Sequence, residues 1–132
     1  MLFTTTTSPF IDQREKSHNF QTATIKKEYD LVISGLQNTL NNQLVNYSEQ
    51  IQAQYRELFK QKKDAIETMF SDSSKRIWNL YKRNLQKKEK IKDRYIRRQS
   101  FVNAKTVYDT SMDSLKEFIS QMVEDLQKML LN

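Results

Sequence analysis

Apolar positions recur at helical spacing over most of the chain, and the recurrence is firmest at the C-terminal end. Phe101, Ala104, Tyr108, Met112, Leu115, Ile119, Met122, Leu126 and Met129 keep a near-heptad seam. That seam predicts one long helix packed along its length. Upstream, Ile77, Trp78, Tyr81, Leu85, Ile91 and Tyr95 predict a second inward stripe. It is interrupted around Lys87–Lys90, where the pattern allows a break or kink. Ile51, Tyr55, Leu58, Phe59, Ala65, Ile66, Met69 and Phe70 predict a third amphipathic helix. Between these two, Ser71-Asp72-Ser73-Ser74 reads as a stop and restart with several N-cap candidates. Gln99-Ser100 reads as a further boundary.

The N-terminal part carries a weaker pattern. MLFTTTTS has no helical period and predicts an extended or mobile arm. Ser8-Pro9 is a good helix start, a serine cap followed by proline at the first helical position. Phe10, Phe20, Ile25, Tyr29 and Leu31 then fail to build a broad stripe, which predicts a helix that lies on something else. Gly35, the only glycine, is the expected bend. Beyond it Leu36, Leu40, Leu44, Tyr47 and Ile51 make one narrow stripe, and nine of the eighteen residues from Gln37 to Gln54 are Asn or Gln. Such an amide face can donate to phosphate oxygens or simply be a solvated polar face. The expected organisation is all-α, with a helical N-terminal arm over 1–50 and an antiparallel helical bundle over 51–132.

Composition narrows the function classes. One Gly and one Pro in 132 residues argue against a sheet protein built on tight turns. A hydrophobic content of 37% predicts a thin core. Without cysteine there is no disulfide framework and no thiolate metal site. No apolar run is long enough to span a bilayer, and the N-terminus lacks the basic and apolar regions of a signal peptide. His18 is the only histidine and there is no Gly-rich phosphate loop, so no catalytic arrangement and no cofactor are expected. Asp109, Asp113 and Glu117 form an i, i+4, i+8 row. It reads as a polar helix face rather than a metal site.

Charge is where the sequence departs most from a generic helical protein. From Lys82 to Arg98, nine of seventeen residues are cationic: Lys82, Arg83, Lys87, Lys88, Lys90, Lys92, Arg94, Arg97 and Arg98. Only Glu89 and Asp93 oppose them, so the segment carries +7 where the whole chain carries +6. All other residues together sum to −1. Arg83, Lys87, Lys90, Arg94 and Arg97 or Arg98 follow helical spacing, which predicts a one-sided row about 21 Å long on a continuous helix. Duplex phosphates stand about 3.4 Å apart along each strand, so such a row meets several of them. Like charges at this spacing cost helix stability, a cost that an anionic partner removes. Tyr81, just before the basic segment, and Tyr95, within it, fit the inward stripe better than a base-stacking role. No zinc-finger spacing, basic zipper or helix-turn-helix is evident, which favours backbone contact over base reading.

The whole-chain pattern resembles the major coat proteins of archaeal filamentous viruses, the lipothrixviruses and rudiviruses, the Acidianus filamentous viruses among them. The resemblance is carried by the LFTTTTSPF start, the amide-rich LQNTLNNQLVNYSEQIQAQY, the KRNLQKKEKIKDRYIRRQSF run and the terminal MDSLKEFISQMVEDLQKMLLN. It implies a C-terminal antiparallel four-helix bundle with an extended helical N-terminal arm. It implies a structural protein of the virion, met in the host cytoplasm during assembly, that wraps linear double-stranded DNA held in A-form. The implied partners are a paralogous coat protein in a heterodimer, neighbouring subunits of a helical filament and, in enveloped members, a lipid layer outside. By this resemblance Arg14, Lys16, Lys26 and Lys27, with the polar face from Gln37 to Gln54, line the DNA. Lys82–Arg98 adds either to that surface or to subunit contacts. The residues alone leave two other readings open: a protein–protein adaptor with a basic face, and a basic amphipathic protein of a membrane surface.

Overall fold

The computed structural model describes residues 8–130, so the expectation for the threonine-rich start lies outside the described residues. Three long helices account for nearly all of this span: α1 (Pro9–Gln43), α2 (Glu49–Lys88) and α3 (Arg94–Gln127). Each starts at a side-chain cap. Ser8, Ser48 and Asp93 accept from the backbone N–H of Ile11, Ile51 and Ile96 respectively, each meeting one of the unpaired N–H groups of a first helical turn. Ser8-Pro9 therefore works as the sequence predicts.

Pairs of touching side chains fix the topology. Along α1 and α2, Trp78 Nε1 donates to Glu15 Oε2 at 3.0 Å, Tyr29 meets Phe70 edge-on at 5.4 Å, and Arg56 Nε donates to Asn41 Oδ1 at 3.1 Å. Rising numbers on one helix meet falling numbers on the other, so the two are antiparallel. Phe10 packs on Phe101 with centroids 4.9 Å apart, and His18 on Tyr108, so α1 and α3 run parallel. The result is an up-down-up bundle of three helices. The start of α1, the end of α2 and the start of α3 lie at one end of it.

This corrects the expected four-helix bundle: the described residues hold three helices. The missing break is at Ser71–Ser74, where α2 continues. Ile66, Phe70, Ser74 and Trp78 are all buried at a spacing of four, so the core-facing seam runs straight through the serines. Ser74 Oγ donates to the Ser71 carbonyl at 3.1 Å instead of capping a new helix. Gly35 does not break α1 either, and Gln99-Ser100 lies inside α3. The actual boundary falls at 44–48, where the buried Leu44 closes α1 and Tyr47 N–H donates to its carbonyl at 3.0 Å.

Over its described length α1 is not an extended arm, because it packs along the other two helices. Ile11, His18, Ile25, Tyr29, Ile33 and Leu40 are its buried residues, at intervals of seven and four. This is a narrow seam, and two of the apolar residues noted in the sequence are off it: Phe20 is 76% and Leu31 66% exposed. The α2–α3 pair packs most extensively of the three. α3 follows its predicted seam, with Ala104, Tyr108, Met112, Leu115, Ile119 and Leu126 buried.

The three helices meet around His18. Its Nδ1 shares a hydrogen bond of 2.6 Å with Tyr108 Oη, and its ring stacks on Trp78 at 5.5 Å. Tyr108 in turn stacks on Tyr81 at 4.5 Å. Burial lowers the His18 pKa from 6.5, opposed in smaller measure by Glu15 and the Ser74 backbone. Burial, with Asp109 and Tyr81, pushes the Tyr108 hydroxyl up to about 12. The core thus holds a neutral imidazole. Above the ordinary value both folded and unfolded chains keep His18 neutral, and stability is full. As pH falls through 6.5 toward the lowered folded value, the unfolded chain binds the proton first and stability drops. Urea unfolding at about pH 7 and about pH 5 checks this. A His18→Gln variant is expected to lose less stability between the two than the parent.

Candidate nucleic-acid interface

The basic segment is folded into a tip. α2 ends at Lys88, residues 89–93 turn the chain, and α3 begins at Arg94. The break that the pattern allows around Lys87–Lys90 is present, so the cationic row is not continuous: Arg83 and Lys87 end one helix, Lys90 lies in the turn, and Arg94, Arg97 and Arg98 open the next. Nine cations with a net charge of +7 repel each other on one helix, and a turn within the segment replaces helical i,i+4 neighbours with a splayed arrangement.

The turn itself is well held. Glu89 N–H donates to the Leu85 carbonyl at 2.9 Å, and Lys90 and Ile91 N–H donate to the Lys87 and Lys88 carbonyls. Arg97 Nη1 reaches back to the Ile91 carbonyl at 2.9 Å, tying the start of α3 to the turn. Asp93 Oδ1 accepts from Ile96 N–H at 3.0 Å. One of the two acids in the segment is thus engaged as a helix cap. Leu85, fully buried, anchors the tip to the core.

The other cations at this end are few. Arg14 lies over the Phe10 ring at 4.9 Å and acts electrostatically on Tyr81, which puts it at the base of the tip. Lys16 is exposed about half a turn further along α1. Lys26 and Lys27 are about 18 Å up the helix from Arg14. Lys26 is already engaged: its Nζ is 3.0 Å from Asp30 and 3.7 Å from Glu67. The Asp30 hydrogen bond is the main reason its pKa is raised. The structure brings Lys82, Arg83, Lys87, Lys88, Lys90, Lys92, Arg94, Arg97 and Arg98 together, with Arg14 beside them, and leaves Lys26 and Lys27 apart.

Carboxylates do not neutralise the tip. Among the described residues the ion pairs within 4 Å are Lys26–Asp30, Lys26–Glu67, Lys105–Asp109 and Lys128–Asp125. None includes a cation of the 82–98 segment. Asp109, from the acidic row on α3, pairs within its own helix at 2.8 Å. No three His, Asp or Glu side chains converge as a metal site among the described residues.

Sequence reasoning misplaces one residue here. Tyr95, expected inward, is 77% exposed, while Tyr81 is buried as expected. The inward stripe assumes one helical phase across the segment, and the turn resets that phase. Asp93 is the available signal, since an N-cap there restarts the count two residues before Tyr95. Among the described residues no helix is long and apolar enough to cross a membrane. No family model, curated protein or solved structure matches the chain.

Proposed function

We propose that this chain is a non-enzymatic structural protein that coats linear double-stranded DNA without regard to sequence, as the major coat protein of a filamentous virion. The observation that carries the reading is the bundle tip: nine cations within seventeen residues, none in an ion pair with a carboxylate among the described residues. Side chains left unneutralised at this density match a partner with regularly spaced negative charge. Binding would be driven by release of counterions from the phosphates, which is insensitive to base sequence. The resemblance to filamentous-virus coat proteins supplies the rest of the proposal: a paralogous coat partner, neighbouring subunits along the filament and a lipid layer outside.

One observation favours the adaptor reading as a second. Ile77, Leu80, Ala104 and Val107 line an open groove between α2 and α3, with Leu80 and Val107 about half exposed. Gel-shift titration on random duplexes of increasing length separates the two readings. A coat protein binds to saturation in numbers that grow with duplex length, and electron microscopy then shows filaments. Absence of saturating, length-scaled binding would leave the adaptor.

A further inference from the structure

Tyr95 stands in the first turn of α3 with 77% of its surface in solvent, and Ile96 beside it is 53% exposed. The exposed aromatic is set among Lys92, Arg94 and Arg98, all exposed and without an ion-paired carboxylate among the described residues. Trp78, Tyr81 and Tyr108 pack on one another in the core, and among the described residues Tyr95 takes no part in these ring contacts. Asp93 and Arg97 hold the backbone on either side of it, so the ring is presented from a fixed turn.

A partner that satisfies this surface offers negative charge and a flat apolar face within a few ångströms of each other. Unpaired nucleic acid does so, with phosphates on one side of each nucleotide and a free base on the other. In an intact duplex the base faces are occupied by stacking on one another and are reached only by prying a step apart. We propose that the tip also takes single-stranded nucleic acid, with Tyr95 as the platform on which an unpaired base stacks and Lys92, Arg94 and Arg98 on the flanking phosphates. This rests on the tip being a nucleic-acid interface and adds the class of strand it prefers: ends, bubbles and single strands.

The test compares a single strand of about twenty thymidines with a random duplex of the same length, over a salt series, for the parent, Tyr95→Ala and Tyr95→Phe. The side chain is exposed, so the variants are expected to melt with the parent by circular dichroism. The Ala variant is expected to lower the ratio of single-strand to duplex affinity by about 5- to 100-fold with the single-strand salt slope unchanged, and the Phe variant to keep the ratio. An unchanged ratio in the Ala variant, with parent binding to both ligands intact, overturns this inference and leaves the duplex-coating reading standing. Failure of the parent to bind either ligand overturns both. Vesicles of phosphatidylserine form the third arm: Tyr95-dependent vesicle binding with an unchanged nucleic-acid ratio overturns the inference in favour of a membrane surface.

Discussion

Replacing Arg83, Lys87, Lys90 and Arg94 by alanine is expected to flatten the dependence of log K on log salt for random duplex DNA by about 4, one for each phosphate no longer neutralised. At about 0.1 M salt the affinity drops on the order of 10²- to 10³-fold. All four side chains are exposed and none is in an ion pair among the described residues, so the fold is not expected to suffer. Relief of like-charge repulsion acts, if anything, to stabilise it. A second set with the same change in net charge, Lys60, Lys62, Lys75 and Lys116, serves as the control. These are exposed too, but lie on α2 and α3 away from the tip. Salt titration by fluorescence anisotropy reads both sets. Equal losses would mean that binding follows total charge and that the tip has no special part in it.

Asp72→Pro is expected to destabilise the protein by about 3 kcal/mol or more. In the middle of a continuous α2 the ring removes a backbone hydrogen bond and clashes with the preceding turn. Were there a break at Ser71–Ser74, position 72 would be the first residue of a new helix after a serine cap, where proline is welcome. The same substitution would then be neutral or mildly stabilising. Urea unfolding reads the sign, and the expected loss is large against the roughly 5–15 kcal/mol that holds a typical domain.

That contrast shows what the pattern along the chain can and cannot say. α3 is legible because its near-heptad seam repeats without interruption from Phe101 to Met129. The cap at Ser8 is legible because serine before proline has few other uses. The serines at 71–74 mislead because cap residues carry no mark of whether the core needs the helix to go on. The need comes from tertiary packing: Phe70, Ser74 and Trp78 share one seam, and His18 of α1 seats against Trp78. α1 is hard to read for a related reason. Its seam is one residue wide, and the exposed Phe20 and Leu31 obscure the buried Ile11, Ile33 and Leu40. Helix packing in such a bundle depends on narrow seams, which propensity alone does not reveal.

The candidate site is half legible. The concentration of cations is a property of composition and is plain. Their arrangement is only partly so: the interrupted stripe around Lys87–Lys90 allows a break, but helical spacing alone does not say that the turn at 89–93 ends one helix and starts another. The break changes the meaning of the same residues: a row suited to lie along a duplex becomes a compact knob at the end of a bundle. It also turns Tyr95 outward. The amide-rich face from Gln37 to Gln54 straddles the α1–α2 turn. Since α1 and α2 are antiparallel, that turn is at the end of the bundle opposite the basic tip. A single duplex touching the tip of one subunit would therefore leave the amide face of that subunit to other contacts.

The central claim is that the tip, and no other surface, meets the phosphates. Limited lysine acetylation with and without random duplex DNA, read residue by residue by mass spectrometry, addresses it most directly. Protection of Lys82, Lys87, Lys88, Lys90 and Lys92 with Lys60, Lys62 and Lys116 still reactive is the predicted result. Protection confined to Lys16, Lys27 or the middle of α2, with the tip lysines as reactive as in the free protein, would contradict it.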